Sequence, residues 1–276
     1  MNADPEGLRH ILEKIYRERR LDFREYKEAT LIRRLARRMH PHGSRTYAEY
    51  ASVLDREPAE YGKLFNDLTI NVTSFFRDEL AYKGLMESVL PALIVKHNKD
   101  TSTHKSLRIW SAGCATGQEP YSIAILLLKM LGPDISLWDI TILATDIDAN
   151  ALQQAREGSF SAKDVEGIQA EWLNRYLIHK YGNFHIRPAL RQLVSFEMNN
   201  LANDPPYQDL DLVVCRNVLI YFNTALQIRV LKGFYQGLKE WGFLLLGKAE
   251  VPVGETKRLF QIVDKKQKLY QKPIVA

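Results

Sequence analysis

Apolar positions along the chain follow two different rhythms. Up to Leu68 they recur at helical spacing: Leu8, Ile11, Leu12 and Ile15 make one stripe, and Leu31, Ile32, Leu35 and Met39 another. Pro41 and Gly43 close the second helix. Further helices are expected over 47–54 and 59–68, then one through 85–95, with the polar stretch 97–106 as a loop. From Leu107 short apolar runs alternate with helical segments. Strands are expected at 107–111, 140–145, 193–197, 211–215 and 242–247, and helices at 119–131, 149–156 and 224–238. This is the pattern of an α/β fold with a largely parallel sheet. The tail, 258–272, reads as two short strands about a Lys-rich turn, a terminal antiparallel hairpin.

One interval breaks the alternation. Residues 157–192 are too long for an ordinary loop and rich in aromatics, so an inserted subdomain is expected: a short helix, then a hairpin turning near Gly182 and Asn183. The expected domains are a helical domain at 1–70, a connecting segment at 71–97, and an α/β domain at 98–276 that carries the insertion at 157–192.

Composition adds little to this picture. The 276 residues are 46% apolar, which excludes a disordered chain. No apolar run reaches membrane-spanning length and no signal-peptide segment opens the chain, so a cytoplasmic protein is expected. Cys114 and Cys215 fit a reducing compartment, and neither they nor the seven scattered histidines suggest a metal site. Charge matters more by placement. Residues 17–38 hold nine Arg or Lys against four Asp or Glu, an excess equal to the +5 of the whole chain. On a helical wheel Arg33, Arg34, Arg37 and Arg38 lie opposite the apolar stripe. A solvated face is the plain reading of such a stripe. Four arginines without interleaved acids favour docking on an acidic partner.

The chemistry centres on LRIWSAGCATGQEPYS, residues 107–122, a strand, a small-residue loop and a helix start. Such a unit brings backbone close to a ligand at the carboxyl end of a parallel sheet. The next strand ends in Asp146 and Asp148. Gly113 and Gly117 do not complete a dinucleotide fingerprint, and Glu119 would repel a pyrophosphate. Glu119 suits the α-amino group of a methionine moiety, and Asp146 suits ribose hydroxyls. Each alone is also explained as a first-turn acid or a strand-end turn residue; together they favour S-adenosylmethionine. Asp-Pro-Pro-Tyr at 204–207 matches a signature of amino-group DNA methyltransferases, but it precedes its apolar strand instead of ending it, as a proline-rich turn would.

Five segments, RLARRM at 34–39, NVTSFFRD at 71–78, WSAGCATGQEPYSIA at 110–124, ATDID at 144–148 and CRNVLIYF at 215–222, occur in the order and spacing of one family. The chain resembles the CheR family of chemotaxis-receptor glutamate O-methyltransferases over nearly its whole length. The resemblance implies a Rossmann-like S-adenosylmethionine-dependent methyltransferase domain, an all-α N-terminal domain and a small inserted β-subdomain. The implied reaction methylates glutamate side chains of a chemoreceptor's cytoplasmic helical bundle and leaves S-adenosylhomocysteine. By motif position, Asn71, Thr73, Arg77, Glu119, Asp146, Asn200, Leu201, Asn217 and Val218 would bind the cofactor. Arg77 and Tyr221 are the expected catalytic residues, Arg77 neutralising the cofactor carboxylate and Tyr221 orienting the incoming glutamate. The four arginines of the second helix become the expected receptor-docking face. A monomer with no metal, no nucleic-acid partner and no membrane insertion is expected. The hairpin at 179–187 is shorter than in members that bind a receptor C-terminal pentapeptide, so a member without that tether is expected. The rival readings are a nucleic-acid methyltransferase, for which a pI near 9.0 speaks, and a non-catalytic cofactor sensor.

Overall fold

The computed structural model describes residues 4–19, 21–69, 71–98 and 105–274; most of the polar stretch 97–106 lies outside them. The chain forms two compact units, residues 1–70 with 221–227, and residues 71–220 with 228–276.

The first unit is helical: α1 (Pro5–Arg19), α2 (Glu28–Met39), α3 (Tyr47–Arg56) and α4 (Glu60–Leu68). The two predicted stripes are its core, with Leu8, Ile11, Ile15, Leu31, Leu35 and Met39 packed around Tyr50, Leu54 and Leu64. Thr46 caps α3 by accepting from the Glu49 amide at 3.2 Å. Residues 221–223 pack into this unit from far along the chain. The Lys27 amide donates to the Tyr221 carbonyl at 2.8 Å, the Asn223 amide donates to the Glu25 carbonyl at 2.9 Å, and the Phe222 ring lies edge-on to Tyr26.

The polar face of α2 is not uniformly turned to solvent. Arg33 is exposed, and Arg37 is largely exposed beside Asp67. Arg34 donates to the Asp67 carbonyl and is half-buried. Arg38 donates through Nε to buried Glu60 at 2.8 Å, and Tyr50 donates to the same oxygen at 2.9 Å. The four arginines expected to dock thus differ in exposure and in their partners within the unit. Arg38 anchors α2 to α4, because a carboxylate buried at Glu60 must have a cation beside it.

The second unit begins with α5 (Glu79–Gly84), a π-helical turn (Leu85–Val89) and α6 (Leu90–Asn98), a longer and less regular stretch than the single helix expected. The alternating pattern follows: β1 (Lys105–Ala112), α7 (Gln118–Leu131), β2 (Trp138–Asp146), α8 (Ala149–Glu157), β6 (Val194–Met198), β7 (Leu210–Cys215), α11 (Thr224–Gly237) and β8 (Leu238–Leu246), then β9 (Gln261–Asp264) and β10 (Leu269–Gln271). The seven strands are ordered β6-β2-β1-β7-β8-β10-β9. The first five run parallel, and the terminal hairpin adds antiparallel. α7 is buried along most of its length against Leu107, Ile109, Ile140 and Ile142. Leu210–Cys215 is buried at every position, as a central parallel strand must be.

The insertion carries β3 (Ser159–Phe160), α9 (Ala170–Tyr176), β4 (Leu177–Lys180), β5 (Asn183–Ile186) and α10 (Pro188–Arg191). The expected hairpin is there, turning through Tyr181 and Gly182, both at positive φ. It is joined by β3, giving an antiparallel three-stranded sheet ordered β3-β5-β4. Two residues are too few to show a period-2 pattern. Phe160 fixes β3 by packing edge-on to Phe75 at 4.9 Å.

Candidate active site

Strand register lines up the chemistry. Ala112 pairs with Thr145, Asp146 with Met198, Ser111 with Val214, and Cys215 with Leu246. The loops at 113–117, 146–148, 199–201, 216–218 and 247–250 therefore leave the sheet in one row at its carboxyl end. The strand order reverses between β1 and β7, where open α/β sheets bind ligands.

The loop after β1 needs its glycine. Gly113 sits at φ +80, and a side chain there would run into Val218 Cγ2. The first loop and the Asn217–Val218 segment are thus close together. Glu119, in the first turn of α7, is 8% exposed. It accepts from Ser111 Oγ at 2.8 Å and faces Arg216 Nη1 at 3.5 Å. Burial pushes its carboxyl up to about 7, against the pull of Arg216 and the Ser111 bond. Asp146 accepts from the Ala115 amide at 2.8 Å and the Asp148 amide at 3.0 Å, and burial raises it despite these bonds. Asp148 caps α8, accepting from the Asn150 and Ala151 amides, and its other oxygen accepts from Asn71 Nδ2 at 2.7 Å. Asn71 is thereby tied to the acidic strand end.

Arg77 follows on the same segment, with Thr73 half-buried between them. Its neighbours Phe76 and Asp78 both adopt positive φ, a costly conformation for side-chain-bearing residues. Two bonds hold it. The Phe76 amide donates to Ser122 Oγ at 3.1 Å, and Arg216 Nη2 donates to the Arg77 carbonyl at 2.6 Å and to Asp78 Oδ2 at 2.8 Å. The Arg77 guanidinium itself donates to the Val72 carbonyl at 2.7 Å. Sequence reasoning passed over Arg216, Ser111 and Asp78. Arg216 stands inside CRNVLIYF, and a cation at the end of a buried apolar strand is the available signal.

Asn200 and Leu201 follow β6, where Asn200 shapes its own turn by accepting from the Ala202 amide at 3.0 Å. Tyr221 belongs to the helical unit. Among the described residues, three buried polar atoms at the strand ends have no partner: Arg216 Nε, Asn199 Oδ1 and Asn217 Oδ1. One is a donor fit for a carboxylate, and two are acceptors fit for amino or hydroxyl groups, the complement of an adenosyl amino acid. Tyr207 of the Asp-Pro-Pro-Tyr segment is occupied elsewhere: its hydroxyl donates to Glu197 at 2.9 Å and its ring packs edge-on to Trp110. Among the described residues no group of three or more His, Cys, Asp or Glu is placed to hold a metal ion.

Known proteins match this chain along both units. Residues 6–69 match the CheR methyltransferase all-alpha domain, and residues 71–269 match the CheR methyltransferase SAM binding domain. Chemotaxis protein methyltransferase 2 of Pseudomonas aeruginosa is 34% identical over 253 residues, 89% of this chain and 86% of its own length. The Vibrio cholerae protein of the same name is 34% identical over 241 residues, covering 85% and 82%. An uncharacterized 104.1 kDa protein of Rhodobacter capsulatus is 32% identical over 266 residues, 96% of this chain and 27% of that longer one. With a SAM-binding domain and the all-alpha domain that precedes it both matched, the chain belongs to the CheR methyltransferase family.

Proposed function

We propose that this protein methylates glutamate side chains on the cytoplasmic helices of chemoreceptors, forming glutamyl methyl esters in chemosensory adaptation. The observation that carries this reading is the match of both CheR domains, at 6–69 and 71–269, to relatives named as chemotaxis methyltransferases. S-adenosylmethionine supplies an activated sulfonium methyl and leaves as S-adenosylhomocysteine. The acceptor, with an ordinary carboxyl pKa of about 4.3, is already ionised at neutral pH. Neither a strong base nor a nucleophile is needed, and the protein's task is alignment. Cys114 and Cys215 suit this view, because burial pushes both thiols far up and keeps them inert.

Each site residue then has a task. Glu119 pairs with the cofactor's ammonium group and Asp146 accepts from its ribose. Arg77 faces its carboxylate as a charged donor. Asn71, Thr73, Asn200, Leu201, Asn217 and Val218 line the adenosyl and methionyl walls. Tyr221 orients the incoming glutamate. Arg33 and Arg37, the exposed pair on α2, carry the docking to an acidic receptor face in the cytoplasm, with Arg34 and Arg38 holding the helix beneath them. The reading needs no receptor pentapeptide on the short hairpin. Incubation with methyl-labelled S-adenosylmethionine tests it. Label is expected on receptor cytoplasmic fragments and absent from DNA and RNA; transfer to nucleic acid alone would overturn it.

A further inference from the structure

Glu250, in the loop after β8, is 4% exposed. Three backbone amides converge on its carboxylate. Gly247 donates to Oε2 at 2.7 Å, Asn217 to Oε2 at 2.9 Å and Ile220 to Oε1 at 3.2 Å. The Val218 amide adds to the set. Gly247 comes from the loop after β8; the others come from the loop after β7, its parallel neighbour. No protein cation lies within ion-pair distance among the described residues; burial raises the carboxyl, the backbone amides pull it back down, and Arg216 acts on it from longer range.

Two further observations make this more than a loop anchor. Asn217 is held at φ +61, in the left-handed region that asparagine enters more readily than other side-chain-bearing residues. Its side-chain Oδ1 is buried and has no protein partner, so this residue presents an acceptor to nothing in the protein. Gly247 is also required: a Cβ there would lie 2.6 Å from Glu250 Oε2 and 2.8 Å from the Asn217 nitrogen.

We infer that Glu250 is a positioning residue for the methyltransferase reaction, clamping the 217–220 backbone so that Asn217 Oδ1 is offered to a donor group of the bound adenosyl cofactor. The inference rests on Asn217 and Val218 lining the cofactor pocket. It adds the device that shapes them and the glycine that makes room for it.

Calorimetric titration with S-adenosylhomocysteine tests the clamp. Glu250→Gln replaces one acceptor oxygen by an NH2 group facing backbone donors; Gly247→Ala keeps the charge and pushes the carboxylate off the amides. Both variants are expected to raise the Kd about tenfold, the size of one lost charge-assisted hydrogen bond. In turnover the KM for S-adenosylmethionine is expected to rise while that for a receptor fragment stays unchanged, a split that a general loss of stability would not give. A folded Glu250→Gln or Gly247→Ala protein that binds within twofold of wild type overturns the inference. Hydrogen exchange on the free wild-type protein gives a readout independent of any variant's folding. Slow exchange at Asn217, Ile220 and Gly247 is expected, and rapid exchange there overturns the clamp. Failure of wild type to bind S-adenosylhomocysteine would instead count against the cofactor assignment.

Discussion

Each unit buries a glutamate against an arginine, and the two pairs come to opposite ends. In the helical unit Glu60 takes Arg38 Nε and the Tyr50 hydroxyl on one oxygen, with His42 Nε2 3.3 Å away. Burial works to raise its carboxyl, but Arg38 and Tyr50 outweigh burial and hold it below the usual range. In the α/β unit Glu119 has one short bond, from Ser111, and one long contact to Arg216, which also serves Asp78 and the Arg77 carbonyl. Burial wins there, and the carboxyl rises to about 7. The gap also falls differently: among the described residues, in the helical unit it is Glu60 Oε2 that lacks a hydrogen-bond partner, with Lys63 Nζ 3.9 Å away, and in the α/β unit it is the guanidinium, at Arg216 Nε.

The strongest way to break this comparison is at the α/β site. Glu119→Gln is expected to weaken S-adenosylhomocysteine binding about a hundredfold, from the loss of a buried charge pair, with the melting temperature unchanged or raised. Calorimetry and thermal unfolding read the two effects. Arg77→Ala should abolish most methyl transfer with little loss of folding, and near-normal cofactor binding and turnover would contradict its assignment. At the other pair the outcome should reverse. Glu60→Gln leaves Arg38 without its anion and should cost about 3 kcal/mol of stability, read by denaturant unfolding, while cofactor affinity holds.

Acid separates the two pairs by sign. Glu60, with a lowered folded pKa, contributes stability that is present above the ordinary carboxyl pKa and is lost as pH falls through its lower folded value. Glu119, raised to about 7, takes up a proton more readily in the folded state, so the cost of its charge is relieved as pH falls below 7. The same protonation removes the anion that the cofactor ammonium needs. S-adenosylhomocysteine affinity should therefore drop by up to about tenfold per pH unit below 7, and Glu119→Gln should flatten that dependence. The smallest effect is expected at the docking face. Arg33→Glu with Arg37→Glu should weaken receptor methylation a few-fold at low salt and leave cofactor affinity alone.

What could be read from the sequence follows the range of the forces involved. The strand, loop and helix around Gly113 were legible because an apolar run, two glycines and a first-turn acid lie within a dozen residues. The stripes of α1 and α2 were legible for the same reason. The partners of Glu119 were not, because Arg216 lies 97 positions away and its other contacts, at Arg77 and Asp78, more than 130. Along the arginine face of α2 a helical wheel makes Arg34 and Arg38 equal to Arg33 and Arg37, and it is α4, bringing Asp67 and Glu60, that separates them. Tyr221 stands near the end of the CRNVLIYF segment, six residues past the expected strand, yet the backbone bonds of Tyr221 and Asn223 run to Lys27 and Glu25.

The most direct test is the product itself. Receptor cytoplasmic fragments incubated with the protein and S-adenosylmethionine, then digested and mapped by mass spectrometry, should carry one added methyl on glutamate side chains, removed by mild base. A base-stable methyl on nitrogen, or unmodified glutamates under conditions where the protein binds S-adenosylhomocysteine, would contradict the account.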